Sequence, residues 1–206
     1  EGHFAAHLRR MRRIYAERNP PQGVATFYVG GHVVRVERAM VHDPEAREGG
    51  AVSRIDLALT WPDFRAAGAA IGEAGRTFVF LALEDAAARL SAPDDIDPAD
   101  RPMALYSRFL EPEALGVHDD LVARRFRQGT PYEGEDLFVA TPDERAFAAR
   151  CPRPQAGGAP QEMCLWQTRL NGLEVHVRFP QRLLKEWTRI VAGVRAVVPR
   201  LAARPG

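Results

Sequence analysis

Hydrophobic and polar positions alternate most cleanly near the C-terminal end of the chain, where MCLWQTRL and LEVHVRF flank Asn171-Gly172. Asn-Gly is a strong short-range hairpin signal, because both central residues of the tight turn must take positive φ. That turn sets a register in which Trp166, Thr168 and Leu170 share a face with Leu173, Val175, Val177 and Phe179. The opposite face sets Arg169 across from Glu174 and Gln167 across from His176. A second hairpin is predicted where VATFYV and HVVRVER flank Gly30-Gly31, with Phe27 and Val29 on the face of Val34 and Val36. SRIDLAL alternates Ile55, Leu57 and Leu59 against Arg54 and Asp56, the mark of a half-buried strand. RTFVFLALE is apolar on both faces, which predicts a central strand.

Helical spacing occurs in two longer stretches. Residues 181–198 place Leu183, Leu184, Trp187, Ile190, Val191, Val194, Val197 and Val198 on one stripe, which must cover a large apolar surface. Residues 2–18 place Phe4, Leu8, Met11 and Tyr15 on another stripe, before Asn19-Pro20-Pro21 stops the helix. Short helices are predicted from Trp61-Pro62-Asp63 to about Gly75, and over TPDERAFAAR with Thr141 as N-cap. ALYSRFL, LVARRFR and DLFVA read as short strands, and residues 91–104, acidic and proline-rich, as a surface loop. The expected fold is α+β, a mainly antiparallel sheet built from hairpins and packed by the C-terminal helix. Residues 1–19 form an appended N-terminal helix, and residues 24–200 a single α+β domain.

Composition narrows the chemistry. The 206 residues are 46% hydrophobic and 27% charged with a formal net charge of +1, which gives no whole-protein attraction to nucleic acid or anionic lipid. No apolar run reaches the length of a transmembrane segment. Lys185 is the sole lysine and follows no glycine-rich loop, so neither a pyridoxal-phosphate Schiff base nor a P-loop has its lysine, and no cofactor is expected. The first residue is glutamate, which suggests a processed or trimmed product.

Candidate sites are dispersed. His3 and His7, one helical turn apart near Glu1, could clip a metal only with ligands from His32, His42, His118 or His176, so no metal is expected. Arg9, Arg10, Arg12, Arg13 and Arg18 give the first helix a basic face, read as solvated or meeting acidic residues between Asp94 and Asp120; nucleic-acid binding is not expected. That acidic region lacks the EF-hand pattern. The serines, Ser53, Ser91 and Ser107, lie in no nucleophile motif. The pairs Asp119 with Asp120 and Glu133 with Glu135 are candidates for acid and base work. Cys151 and Cys164 bracket PRPQAGGAPQEM; they are either a disulfide contributing about 3 kcal/mol by loop entropy or two unrelated thiols.

The opening run, with Glu1-Gly2-His3, His7-Leu8-Arg9-Arg10-Met11-Arg12 and Tyr15, resembles a segment of the aminotransferase-like domain of MocR-type, GntR-family pyridoxal-phosphate regulators. The resemblance covers fewer than one residue in ten, ends at Asn19 and transfers no functional residue. It implies a fusion, a remnant or a coincidental amphipathic helix, and the plain reading of a docking helix stands.

Two functions follow. The first is a non-enzymatic macromolecule-binding protein, envelope-associated or toxin-neutralising, with a protein partner recognised by a mixed polar sheet face of Arg54, Asp56, Arg169, Glu174, His176 and Arg178. An even cysteine count favours a periplasmic or exported location over the cytoplasm. The alternative is a hydrolase or transferase whose site is assembled from dispersed Asp, His and Arg residues.

Overall fold

A computed structural model describes residues 7, 11, 21–68, 71, 74–87, 96–154 and 163–202. The expected N-terminal helix, its histidine pair and its arginine face lie outside these residues, apart from the exposed His7 and Met11. The serine at 91 and Asp94 and Asp95 also lie outside.

Both glycine-centred turns form hairpins in the expected register. β1 (Val24–Val29) pairs with β2 (His32–Glu37), Phe27 facing Val34. β10 (Met163–Leu170) pairs with β11 (Leu173–Pro180), Trp166 facing Val177 and Arg169 facing Glu174. Asn171 and Gly172 both take positive φ, as that turn demands. β3 (Gly50–Val52) adds to β1 in parallel, the exception in a structure otherwise paired antiparallel.

The remaining strands are β4 (Arg54–Thr60), β5 (Phe78–Asp85), β6 (Leu110–His118), β7 (Leu121–Phe126), β8 (Glu135–Ala140) and β9 (Ala148–Pro152). They join the C-terminal hairpin in an eight-stranded sheet of order β4-β5-β11-β10-β9-β8-β7-β6. β5 is central, between β4 and β11, as its two apolar faces required. One face of this sheet is the core face. There Ile55, Leu57 and Leu59 of β4, Val79, Leu81 and Leu83 of β5 and Val175, Val177 and Phe179 of β11 pack with Phe27, Val29, Val34 and Val36 of the small sheet. The C-terminal helix α2 (Trp187–Leu201) completes that core with Ile190, Val191, Val194, Val197, Val198 and Leu201.

Four local expectations are corrected. The stretch after Trp61 begins as a turn, not a helix: Phe64 takes positive φ and enters the core, while the backbone at 65–67 bonds back to the β4 edge through Thr60 N to Arg65 O and Ala67 N to Ala58 O. Gly193 of α2 admits that phenyl ring, since a Cβ there would lie 2.1 Å from it. ALYSRFL is no strand. A short helix α1 (Arg101–Ala104), within the segment expected to be loop, leads into a 3₁₀ turn over Tyr106–Phe109. The three-to-four spacing of Leu105, Tyr106, Phe109 and Leu110 suits helical turns better than alternation. TPDERAFAAR is no helix either. Asp143 makes a tight turn by accepting from Arg145 N, and Phe147, Ala149 and Cys151 then alternate into the core with strand period. Finally, residues 181–186 of the expected C-terminal helix are a 3₁₀ segment, and α2 runs on to Leu201. No described helix is long and apolar enough to cross a membrane.

Candidate functional site

The face of the large sheet turned away from the core divides into two halves. Over β6 to β9 it is covered by the chain itself. Tyr106, arriving on the 3₁₀ turn, packs edge-on to Phe126 and Tyr132 beside Leu110, Leu137 and Val139, a second small core. The Arg150 guanidinium lies 4.7 Å from the Tyr132 ring centre while bonding to Glu135 at 2.7 Å. Burial pushes the Tyr106 phenol above its ordinary value.

Over β4, β5, β11 and β10 the described residues leave most of the same face open. Strand register arranges it in rows. Arg54, Glu84, Glu174 and Arg169 form the first; Asp56, Ala82, His176 and Gln167 the second; Ala58, Phe80, Arg178 and Leu165 the third. Beyond them Phe78 faces Thr60, and Met163 faces Pro180. The six residues expected to form a recognition face, Arg54, Asp56, Arg169, Glu174, His176 and Arg178, thus lie on one side of neighbouring strands.

They differ in accessibility and role. Glu174 has no exposed surface: Arg101 from α1 reaches it at 3.0 Å, Arg169 at 3.3 Å and His176 Nε2 at 3.4 Å. A buried carboxylate demands such partners, so Glu174 pins α1 to the sheet. Arg54 is exposed and donates to Asp56 at 2.9 and 2.7 Å and to Glu84 at 3.3 Å. The hydrogen bond to Asp56 is the main reason its guanidinium is held above the usual range. Arg178 is exposed, with no hydrogen bond or ion pair among the described residues.

A cleft of about 200 Å³ opens between these side chains, lined by His42, Arg54, Asp56, Phe80, His176 and Arg178 among others. His42 is positioned by backbone: its N–H donates to Asp56 O at 2.9 Å, while neighbouring Val41 bridges to Leu57 on the β4 edge. Its ring stands edge-on to Phe80, 5.3 Å between centres. A second cleft, of about 330 Å³ and also bordered by Phe80, continues past Phe78, Met163 and Pro180 to Arg76 and Arg182.

Sequence reasoning missed Phe80, Glu84 and Arg101, and named His42 only as a possible metal ligand. The signal for Phe80 was present, since the second apolar face of RTFVFLALE floors the cleft. Arg101 gave none, because its contact with Glu174 spans 73 residues.

The other candidates lie elsewhere. Asp119 and Asp120 are exposed positive-φ residues of the β6–β7 turn, and Trp187 Nε1 donates to Asp119 O. Glu133 accepts from Gly129 N, and Glu135 pairs with Arg150. His118 is exposed on β6, whereas His32 is buried 3.5 Å from Asp85. The hydroxyl of Ser107 donates to Met103 O, and Ser53 is exposed. Among the described residues no group of three His, Cys, Asp or Glu side chains is placed to hold a metal ion.

Cys151 and Cys164 form a disulfide, 4.2 Å between Cα atoms and fully buried. Continuing the register of Leu165 with Arg150 makes them direct cross-strand partners on β9 and β10. That Cα spacing is typical of a non-hydrogen-bonded pair.

The fold is that of an α+β protein whose principal sheet is covered on one face and, by the described residues, half covered on the other. Two solved structures share this architecture. An immunity protein of the Stenotrophomonas maltophilia type IV secretion system matches with a TM-score of 0.57 at 15% identity, over 88% of this chain and 94% of its own. The iron-regulated outer membrane lipoprotein FrpD of Neisseria meningitidis matches with a TM-score of 0.51 at 9% identity, over 89% of this chain and 96% of its own. At such identities the likeness is one of fold. No protein-family model and no curated protein matches the chain.

Proposed function

We propose that this chain is a non-enzymatic binding protein of the cell envelope that holds, and thereby neutralises, a toxin-like protein partner. The observation that carries the reading is the open half of the sheet's outer face. Its side chains are fixed by strand register and its polar groups surround an apolar recess, the anatomy of a recognition patch with an anchoring pocket. The shared fold with an immunity protein gives the neutralising role a precedent of architecture. The shared fold with an outer membrane lipoprotein and the buried disulfide support a location outside the reducing cytoplasm.

The test uses the purified protein at micromolar concentration as bait for a periplasmic extract of its native host, beside a Phe80→Glu variant with an unchanged thermal midpoint. The expected result is one protein retained by the first and lost from the second, whose own activity is inhibited at one-to-one stoichiometry. If the two baits retain the same proteins, or the captured protein stays active in the complex, the reading fails.

A further inference from the structure

The two outer-face clefts meet at Phe80 and make one trough with an uneven charge. We propose that this trough receives an acidic, extended segment of the partner, an apolar side chain seated beside Phe80 and its carboxylates on the guanidinium groups of the rim. This inference rests on the protein-binding reading above and adds the chemistry of the segment bound.

Charge accounting supplies the argument. The lining includes four arginines, Arg54, Arg76, Arg178 and Arg182, and the imidazoles of His42 and His176. Among the described lining residues the single carboxylate is Asp56, already engaged by two N–H groups of Arg54, which also donates to Glu84 beside the cleft. Arg178 has no protein partner among the described residues, and Arg182 donates to the neutral Thr77 hydroxyl at 2.5 Å. On the covered half of the same face Arg150 is paired with Glu135 and Arg145 with Asp100, while Arg124 donates to the backbone carbonyls of Glu111 and Pro112. Arg178 and Arg182 therefore meet no carboxylate among the described residues, whereas Arg54 and Arg76 have partners of their own. Guanidinium groups beside a low-dielectric floor favour planar carboxylates held by two hydrogen bonds.

The floor narrows the class of partner. Phe78, Phe80, Met163 and Pro180 offer recessed apolar surface, which a protein side chain can enter. A planar bilayer surface cannot follow the recess, and a phosphodiester backbone brings no apolar group to fill it.

The experiment uses labelled heptapeptide probes read by fluorescence anisotropy: Glu-Leu-Glu-Phe-Glu-Leu-Glu, its counterpart with glutamine for glutamate, and its counterpart with lysine. The acidic probe is expected to bind at least about tenfold more tightly than the glutamine probe, the factor set by 1.4 kcal/mol, and to weaken as salt rises. Arg178→Gln combined with Arg182→Gln removes that preference, and Arg178→Glu shifts it toward the lysine probe. Both arginines are exposed, so an unchanged thermal midpoint confirms folding of the variants. Equal binding of the acidic and glutamine probes overturns the proposal, as does indifference to the double variant. Preferential binding of phosphatidylglycerol vesicles over the acidic probe also overturns it. Failure of the probes alongside a host protein lost on Phe80→Glu sinks the acidic-segment inference alone. Successful probes without a host partner sink the functional reading instead.

Discussion

The covered and open halves of the sheet's outer face begin from similar material. Each presents arginines, carboxylates and aromatic rings from alternate positions of antiparallel strands. Over β6 to β9 the segment through α1 and Tyr106 lies across the strands, and the aromatic rings become a second core with Arg150 paired to Glu135 beside it. Over β4, β5, β11 and β10 the described chain reaches in only from the sides, with Arg101 on Glu174 and His42 against Phe80, and Phe80 and Arg178 remain at a cleft. Arg101 on Glu174 marks the border. The comparison teaches that alternation alone does not decide whether an outer face is core or surface; what the chain later lays across it does.

Predictions can be ordered by how hard they strike this contrast. Phe126→Ala removes a fully buried ring from the covered half and should cost about 3–5 kcal/mol in chemical denaturation. A cost near that of a surface change would mean the second core carries no stability. Glu174→Ala leaves Arg101 and Arg169 facing each other without their carboxylate and should cost about 3 kcal/mol. Hydrogen exchange should rise most at 99–110; a rise spread evenly over the sheet would contradict the pinning role.

Replacing both Cys151 and Cys164 with alanine should cost about 3 kcal/mol by loop entropy. An unchanged denaturation midpoint would discount the bridge. The Tyr106 phenol supplies a pH dependence. Its folded pKa is raised, so its contribution is intact below the unfolded tyrosine value of about 10 and is lost as pH rises beyond it. Tyr106→Phe should flatten the stability profile in that alkaline window, and an unaltered slope there would remove the assignment. Smallest is Arg178→Ala, expected within about 0.5 kcal/mol of the parent because the exposed side chain bonds to no described residue. A large loss would show that the open half is structural after all.

Much of this contrast was legible locally. Asn171-Gly172 fixed the register that sets Arg169 against Glu174, and Gly30-Gly31 did the same for Phe27 and Val34. The alternation of β4 placed Arg54 and Asp56 correctly away from the core. The row joining Arg54 to Glu84 and Glu174 was not legible, because it depends on β5 lying between β4 and β11, a long-range pairing that no local pattern encodes. β6 escaped notice for a different reason. It is an edge strand, mostly exposed and interrupted by register shifts, so it has little apolar alternation to detect. The helices expected after Trp61 and Thr141 failed where backbone needed at a sheet edge, and strand-period burial at Phe147 to Cys151, overrode capping signals.

The disulfide has a mechanical consequence. β9 and β10 meet through the short pairing of Leu165 with Arg150 and Trp166 with Ala149, and this junction separates the open half of the sheet from the covered half. The sulfur bridge is a rivet through that seam. While it holds, a pull on a molecule lodged in one half is borne by the whole plate; once it is cut, the seam is where the plate would fold. The oxidation state of the surroundings would then set the stiffness of the grip.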